Sequence, residues 1–181
     1  MIVAVALDLG TTTIKASLLS QAGMLGGIVA RPAPVIVADG GRYESDASAY
    51  AKTADEVLAG CLAQTDARPP LGLCSQRSSF LLWERASGQP VTPLISWQDD
   101  RGAESCAALR DREHTIRNLT GLPLTPYYFA PKLRVLLREH PTWRERLLSG
   151  KWLLGTLETF LIWRWTGGEQ HVTDVSMAAR T

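Results

Sequence analysis

Several short polar stretches carry side chains that could do chemistry. The first is Asp8-Leu9-Gly10-Thr11-Thr12-Thr13, set between two apolar runs and followed closely by Lys15. Gly10 lets the backbone turn where a β-carbon would crowd it. Beyond it, the amides and the hydroxyls of Thr11, Thr12 and Thr13 can converge on one concavity. Such a nest of donors suits phosphate oxygens. Asp8, at the carboxyl end of the first run, is placed to hold a hard cation through water. Lys15 adds a point charge for a polyphosphate if its side chain folds back over the turn. The competing reading needs no ligand: Gly-Thr turns and neighbouring Asp are common in hairpins, and Lys15 is then a solvated edge lysine.

Gln76 and Arg77 follow a short apolar run, where ligands of parallel sheets bind. A guanidinium fork beside an amide can hydrogen-bond several hydroxyls of a polyol. The alternative is an ion-paired arginine at a sheet edge. Ser96-Trp97-Gln98-Asp99-Asp100-Arg101 is denser. Trp97 offers an aromatic face to the C–H side of a sugar, and Asp99 or Asp100 can accept hydroxyl protons. Against this, either Asp is a natural helix N-cap and Trp97 a core residue. Tyr127 and Tyr128 after Pro126 line a pocket or plug the core.

The elements that must position these groups can be read from apolar patterning. Residues 2–7 are continuously apolar and read as a strand buried on both faces. Residues 14–19 resume as its hairpin partner, and residues 23–37 as a third strand whose second half is demoted by Pro32 and Pro34. Residues 39–41 read as loop. A helix is predicted over 47–63, with Asp46 or Ser48 as N-cap and Tyr50, Ala54, Val57, Leu58, Cys61 and Leu62 as its apolar stripe. Residues 71–74 read as a buried strand. Strand, helix, strand is a crossover, so the sheet becomes mixed. Strands follow over 80–84 and 91–97, then helices over 100–111, 113–119, 130–140, 143–148 and 155–165, the last ended by Gly167-Gly168.

Composition narrows the function classes. The 181 residues are 45% hydrophobic and 20% charged, with a formal charge of +1, so a packed core is expected and a nucleic-acid or anionic-lipid footprint is not. The 3 Cys and 3 His are scattered, which argues against a disulfide scaffold or zinc site and for a reducing compartment. With no basic leader and no run near the roughly 20 apolar residues that cross a bilayer, a cytoplasmic protein is expected. The sequence also lacks Gly-x-x-x-x-Gly-Lys-Ser/Thr, Gly-x-Gly-x-x-Gly, His-Glu-x-x-His and Gly-x-Ser-x-Gly, so a nucleotide would have to use the turn after Asp8.

Taken in order, these stretches resemble the FGGY carbohydrate kinases. The resemblance rests on Asp8-Leu9-Gly10-Thr11-Thr12, Tyr43-Glu44-Ser45-Asp46, Ser75-Gln76-Arg77 and the Ser96 to Arg101 run. It continues through Thr120-Gly121-Leu122-Pro123-Leu124-Thr125-Pro126-Tyr127 with Lys132-Leu133, and through the Gly155 to Trp163 run. It ends with His171-Val172-Thr173-Asp174 and Ala178-Ala179-Arg180-Thr181. The resemblance implies an α/β, ribonuclease-H-like (actin-like ATPase) domain, a mixed β-sheet with helices on both faces. It implies that ATP and a sugar or polyol meet in the cleft between two such domains. Asp8 would help hold Mg2+, with Gly10, Thr11, Thr12 and Lys15 near the transferred phosphate. Gln76, Arg77, Trp97, Asp99 and Tyr127 would contact the sugar.

Two departures qualify that implication. Glycerol kinase has a carboxylate after the Gln-Arg pair, where this chain has Ser78, so one acceptor for a glycerol hydroxyl is missing. Xylulose kinases carry a Met-His pair after their Gln. The family's proton-accepting aspartate lies further on in a Gly-Asp motif, beyond Thr181, so no catalytic base is assigned here. The expected chain is therefore most of an N-terminal kinase domain, inactive alone, with a homodimer as one way to cover its docking surface. An actin-like or chaperone-like nucleotide sensor, or an inactive sugar- or partner-binding remnant, are the other readings. A Gly-Asp motif further along the reading frame would mark an enzyme, and a stop codon a remnant.

Overall fold

In the computed structural model, which describes residues 1–180, β1 (Ile2–Leu9) alternates from Val5 onward: Val5, Leu7 and Leu9 are buried, while Ala6 and Asp8 are exposed. Thr181 lies outside the described residues. The expectation of a strand buried on both faces is thus corrected. The pleat sends every second side chain to one face, and Ala4 and Ala6 leave little apolar bulk on the other. β2 (Thr13–Ser20) pairs antiparallel with β1 and repeats the pattern with Ile14, Ala16 and Leu18. β3 (Leu25–Pro32) pairs with β2 and stops where Pro32 can no longer feed a ladder.

After β4 (Val37–Asp39) and β5 (Arg42–Ser45), Asp46 caps α1 (Ala47–Leu62) by accepting from the Ala49 amide at 2.8 Å. The buried stripe of α1, Tyr50, Ala51, Ala54, Val57 and Cys61, packs on the sheet. β6 (Leu71–Ser75) then lies parallel to β1, which gives the order β3-β2-β1-β6 and the mixed sheet expected of the crossover. β1, β2, β3, α1 and β6 belong to one compact unit, Met1–Val35 with Asp46–Gln76.

The second unit comprises Ile36–Ser45 and the chain from Arg77 onward. With β7 (Phe80–Glu84), β8 (Leu94–Ile95) and β9 (Trp152–Thr156), its sheet runs β4-β5-β8-β7-β9. Gly40 and Gly41 both adopt positive φ, so residues 39–41, expected as loop, form the tip of the β4–β5 hairpin. The centre is β7 (Phe80–Glu84), whose Phe80, Leu81, Leu82 and Trp83 are fully buried. Phe80 and Leu82 meet Leu136, Phe129 and Leu133 of α4 (Phe129–Glu139), together with Trp143 and Leu147 of α5 (Trp143–Leu148). Trp83 meets Phe160 and Trp163 of α6 (Leu157–Trp165), with ring centroids 5.2 and 5.9 Å away.

Three expectations change here. The strand expected over 91–97 shrinks to β8 (Leu94–Ile95), because Pro90 and Pro93 remove donors; Thr92 Oγ1 accepts from the Leu82 amide instead. The helix expected from 155 starts only at 157. Trp152–Thr156 is β9, paired with β7, and a β-carbon on Gly155 would stand 2.8 Å from the Trp83 ring. The helix expected over 100–111 is only α2 (Ala103–Ala107), followed by a 3-10 turn, α3 (Glu113–Thr120) and, near the end of the chain, α7 (Val175–Ala178). Among the described residues, no helix is long and apolar enough to cross a membrane.

Candidate functional site

In the first unit the turn after Asp8 stands at the carboxyl ends of the parallel strands β1 and β6. Register places Asp8 between Lys15 and Cys74. Lys15 Nζ lies 3.5 Å from Asp8 Oδ2, and both side chains are about half exposed (52% each). A pair so exposed contributes only ~0–1 kcal/mol, so both charges stay available to a ligand. The turn is tight: a β-carbon on Gly10 would fall 2.6 Å from the Thr13 carbonyl oxygen. Below it, the buried Tyr50 hydroxyl donates to the Gly10 carbonyl at 2.7 Å. Burial pushes the Tyr50 phenol well above its ordinary range; a bond to the Gln76 side chain opposes this and the Asp8 charge adds to it. The Gln76 amide donates to the Leu9 carbonyl at 3.0 Å.

Asp8, Gly10, Thr11, Thr12, Lys15 and Gln76 therefore share one end of the first sheet. Among the described residues no three His, Cys, Asp or Glu side chains converge on a metal. A single exposed carboxylate still fits Mg2+, which keeps several waters and takes one or two protein carboxylates beside substrate phosphates.

In the second unit the candidates gather on the segment after β8. Trp97 is half-buried rather than core, and its ring lies 5.8 Å from that of Tyr127, tilted by 53°. Tyr128 meets Tyr127 edge-on at 5.3 Å. The Trp97 amide donates to Ser79 Oγ at 3.0 Å. Lys132 of α4, fully buried, donates from Nζ to the carbonyls of Ser96 at 2.9 Å and Trp97 at 3.2 Å.

Asp99 requires a correction. Its carboxylate is buried. Oδ1 accepts from the Arg101 amide at 3.1 Å and Arg101 Nε at 2.8 Å; Oδ2 accepts from the Tyr43 amide at 2.8 Å and an Arg101 terminal nitrogen at 2.7 Å. An ionised carboxylate offers about four lone-pair sites, and these bonds fill them. Asp99 is neither the N-cap of the next helix, a position taken by Gly102, nor open to a substrate hydroxyl. It is the hub of the loop. Arg101 also bonds Glu44; burial works against its guanidinium, but the bonds to Asp99 and Glu44 outweigh that and raise its pKa.

Arg77 is exposed and belongs to this second unit, whereas Gln76 belongs to the first. Its charge helps hold the Asp174 carboxyl below the usual range, after the bonds Asp174 accepts from Ser176. Sequence reasoning missed Tyr50 as a support of the turn, having counted it in a core stripe. Lys132 entered only as part of the Lys132-Leu133 stretch of the family resemblance, with no role assigned to it.

Lys132 gives a pH dependence. Burial pushes its ammonium down to about 8 from 10.5, with Asp99 opposing and Arg101 adding to the effect. Below about 8 the folded and unfolded chains both hold the proton, and folding carries the full cost of the buried charge. Between about 8 and 10.5 the unfolded chain binds more protons, so stability rises with pH across that window. Urea midpoints of the parent minus those of Lys132→Met should show this rise; a flat difference would refute it.

Comparison with known proteins adds the following. The model of the FGGY family of carbohydrate kinases, N-terminal domain, matches residues 3–181. Glycerol kinase of Cereibacter sphaeroides (strain KD131) is 40% identical, over 97% of this chain and 37% of that protein. Apulose kinase of Pectobacterium atrosepticum is 36% identical, over 99% of this chain and 37% of that protein. The crystal structure of Plasmodium falciparum glycerol kinase with ADP superposes with a TM-score of 0.87 at 22% identity, over 99% of this chain and 37% of that one. That likeness shows the shared fold, the actin-like ATPase fold of these kinases. The chain thus spans about 37% of the length of the curated relatives it matches.

Proposed function

We propose, from the premise that this chain belongs to the FGGY family of carbohydrate kinases, that it serves ATP-dependent phosphorylation of a sugar or polyol hydroxyl. The residues 1–181 act as most of the N-terminal domain, and turnover belongs to a longer protein; the 181 residues alone turn over nothing. The observation that carries the reading is the corner formed by the Trp97 and Tyr127 rings, 5.8 Å apart and tilted, on a loop clamped from behind. An aromatic wall backed by fixed polar groups is how a protein holds the C–H face and hydroxyls of a carbohydrate.

In this reading the amides and hydroxyls from Gly10 to Thr12, with Lys15, receive the phosphate end of ATP, and Asp8 holds Mg2+. Bound there, Mg2+ would neutralise charge on the transferred phosphoryl oxygens. The chain's own contribution is positioning and fixed donors, which cost no reorganisation during the reaction. Tyr50 keeps the turn closed. In the second unit Arg77 donates to sugar hydroxyls, Trp97 and Tyr127 supply the wall, and Asp99 holds the loop without touching substrate; in the first unit Gln76 offers its amide as a donor at the end of β6.

Ser78 bears on the substrate. It is buried, has φ 62°, and its hydroxyl has no partner among the described residues. A short hydroxyl in place of a carboxylate favours a sugar or polyol other than glycerol.

The test offers glycerol, four- to six-carbon polyols and ketoses with MgATP to the full product of the reading frame, and follows ADP release. ADP formation dependent on one or a few sugars is expected. Sugar-independent hydrolysis would support the nucleotide-sensor reading, and inactivity with every sugar the remnant.

A further inference from the structure

We propose that Lys132 is a positioning residue for the sugar wall: its ammonium stitches the loop bearing Trp97 to the helix that begins just after Tyr127. The inference rests on the proposed sugar site, but the stitch itself can be tested apart from it.

Two side chains hold the backbone of Trp97. Its amide is taken by Ser79 Oγ and its carbonyl by Lys132 Nζ, so side chains hold the backbone on both sides of the residue. The preceding carbonyl, of Ser96, goes to the same ammonium. Lys132 lies in the first turns of α4, five positions after Tyr127. One side chain thereby fixes the distance between two rings that are 30 positions apart in sequence. The rings stand at 53°, in direct contact, and make a corner rather than a slot. A sugar lies against one ring with the other as its side wall. The angle decides which hydroxyls face the fixed donors, so the angle must be held.

Stability alone does not account for this lysine. A fully buried ammonium is costly to desolvate, and a methionine of similar length would fill the space without that cost. What methionine cannot do is donate to two carbonyls at once. The charges facing Lys132 are Asp99, which favours its ammonium, and Arg101, which opposes it. Both are already locked to each other, so neither substitutes for the stitch.

The experiment compares the parent 181-residue chain with Lys132→Met, Lys132→Gln and Lys132→Arg by NMR, Trp97 being identified from Trp97→Phe. Amides of Leu82 and Leu153 in the second unit's sheet report whether the fold around Lys132 survives. In the parent, NOEs between the Trp97 indole and the Tyr127 ring are expected, and added D-sorbitol or D-xylulose shifts the Trp97 indole signal. In Lys132→Met the NOEs weaken or vanish while the dispersion of the other indoles persists. Sugar affinity then falls at least about tenfold, about 1.4 kcal/mol. Lys132→Arg or Lys132→Gln, which keep donors, recovers part of both signals. Unchanged NOEs and sugar shifts in Lys132→Met would overturn the proposal, as would loss of every second-unit indole signal in all three variants, which would make Lys132 a folding residue only. Absence of any sugar shift in the parent would instead overturn the sugar-site reading, with the NOEs still deciding the stitch.

Discussion

Asp99→Ala is expected to lower the melting temperature of the second unit by about 10 °C or more. The magnitude follows from what the change strands. Asp99 is the acceptor for the Arg101 fork, and Arg101 and Lys132 are both buried beside it. Removing the carboxylate leaves Arg101 with Glu44 alone, a carboxylate about one-third exposed (32%), and leaves Lys132 with the Arg101 charge and without the one carboxylate that favoured its ammonium. Breaking a buried charge pair from one side costs about 3–5 kcal/mol, because the remaining charge is neither paired nor hydrated. The Tyr43 amide also loses its acceptor, and with it one of the bonds between β5 and the Trp97 loop.

A double substitution separates this cause from lost packing. Asp99→Leu combined with Arg101→Leu should cost less than Asp99→Leu alone, since no guanidinium is then stranded. Lys52→Ala, which touches only an exposed pair with Glu56, serves as the control and should move the melting temperature little. If Asp99→Ala melts like that control, the loop is not held by its carboxylate.

The same network shows where sequence reasoning stops. The turn after Asp8, the cap at Asp46, the crossover to β6 and the buried β7 were all legible because each is a local pattern: a glycine in a polar interruption, a capping side chain, a run of apolar residues. Asp99 and Arg101 were legible as residues but not as partners, because a vicinal carboxylate and guanidinium look alike whether they face solvent or each other. Lys132 reaches a carbonyl 36 positions earlier, which no spacing rule encodes. Tyr50 belongs to a helical apolar stripe by period, yet its hydroxyl leaves that stripe for the Gly10 carbonyl.

The missed strands have the same explanation. β5 reads Arg-Tyr-Glu-Ser, with no apolar alternation, and becomes a strand through its pairing with β8. Residues 152–157 read Trp-Leu-Leu-Gly-Thr-Leu, an apolar run without a period, so strand and helix merge until β7 pairs with the first half. At Gly155 the glycine marks close approach to Trp83, not the start of a helix.

Gly10→Ala is the substitution expected to affect nucleotide binding most, by about 10²-fold, or roughly 2.7 kcal/mol. The position does not need positive φ; it needs space. The new β-carbon would sit 2.6 Å from the Thr13 carbonyl oxygen, a backbone atom that cannot rotate away. Either the turn opens or the Leu9–Ile14 pairing at the end of the hairpin slips. Both movements carry the amides of Thr11 and Thr12 away from the concavity proposed for the phosphates, and both pull the Gly10 carbonyl from Tyr50. Lys15→Met is the informative companion. It removes a charge from an exposed pair, so it should weaken nucleotide binding with little change in melting temperature. Titration of the full product of the reading frame with MgADP, beside thermal melts, distinguishes the two. A Gly10→Ala protein that still binds MgADP like the parent would show that the phosphates lie elsewhere, because no nest of amides survives a displaced turn with its affinity intact.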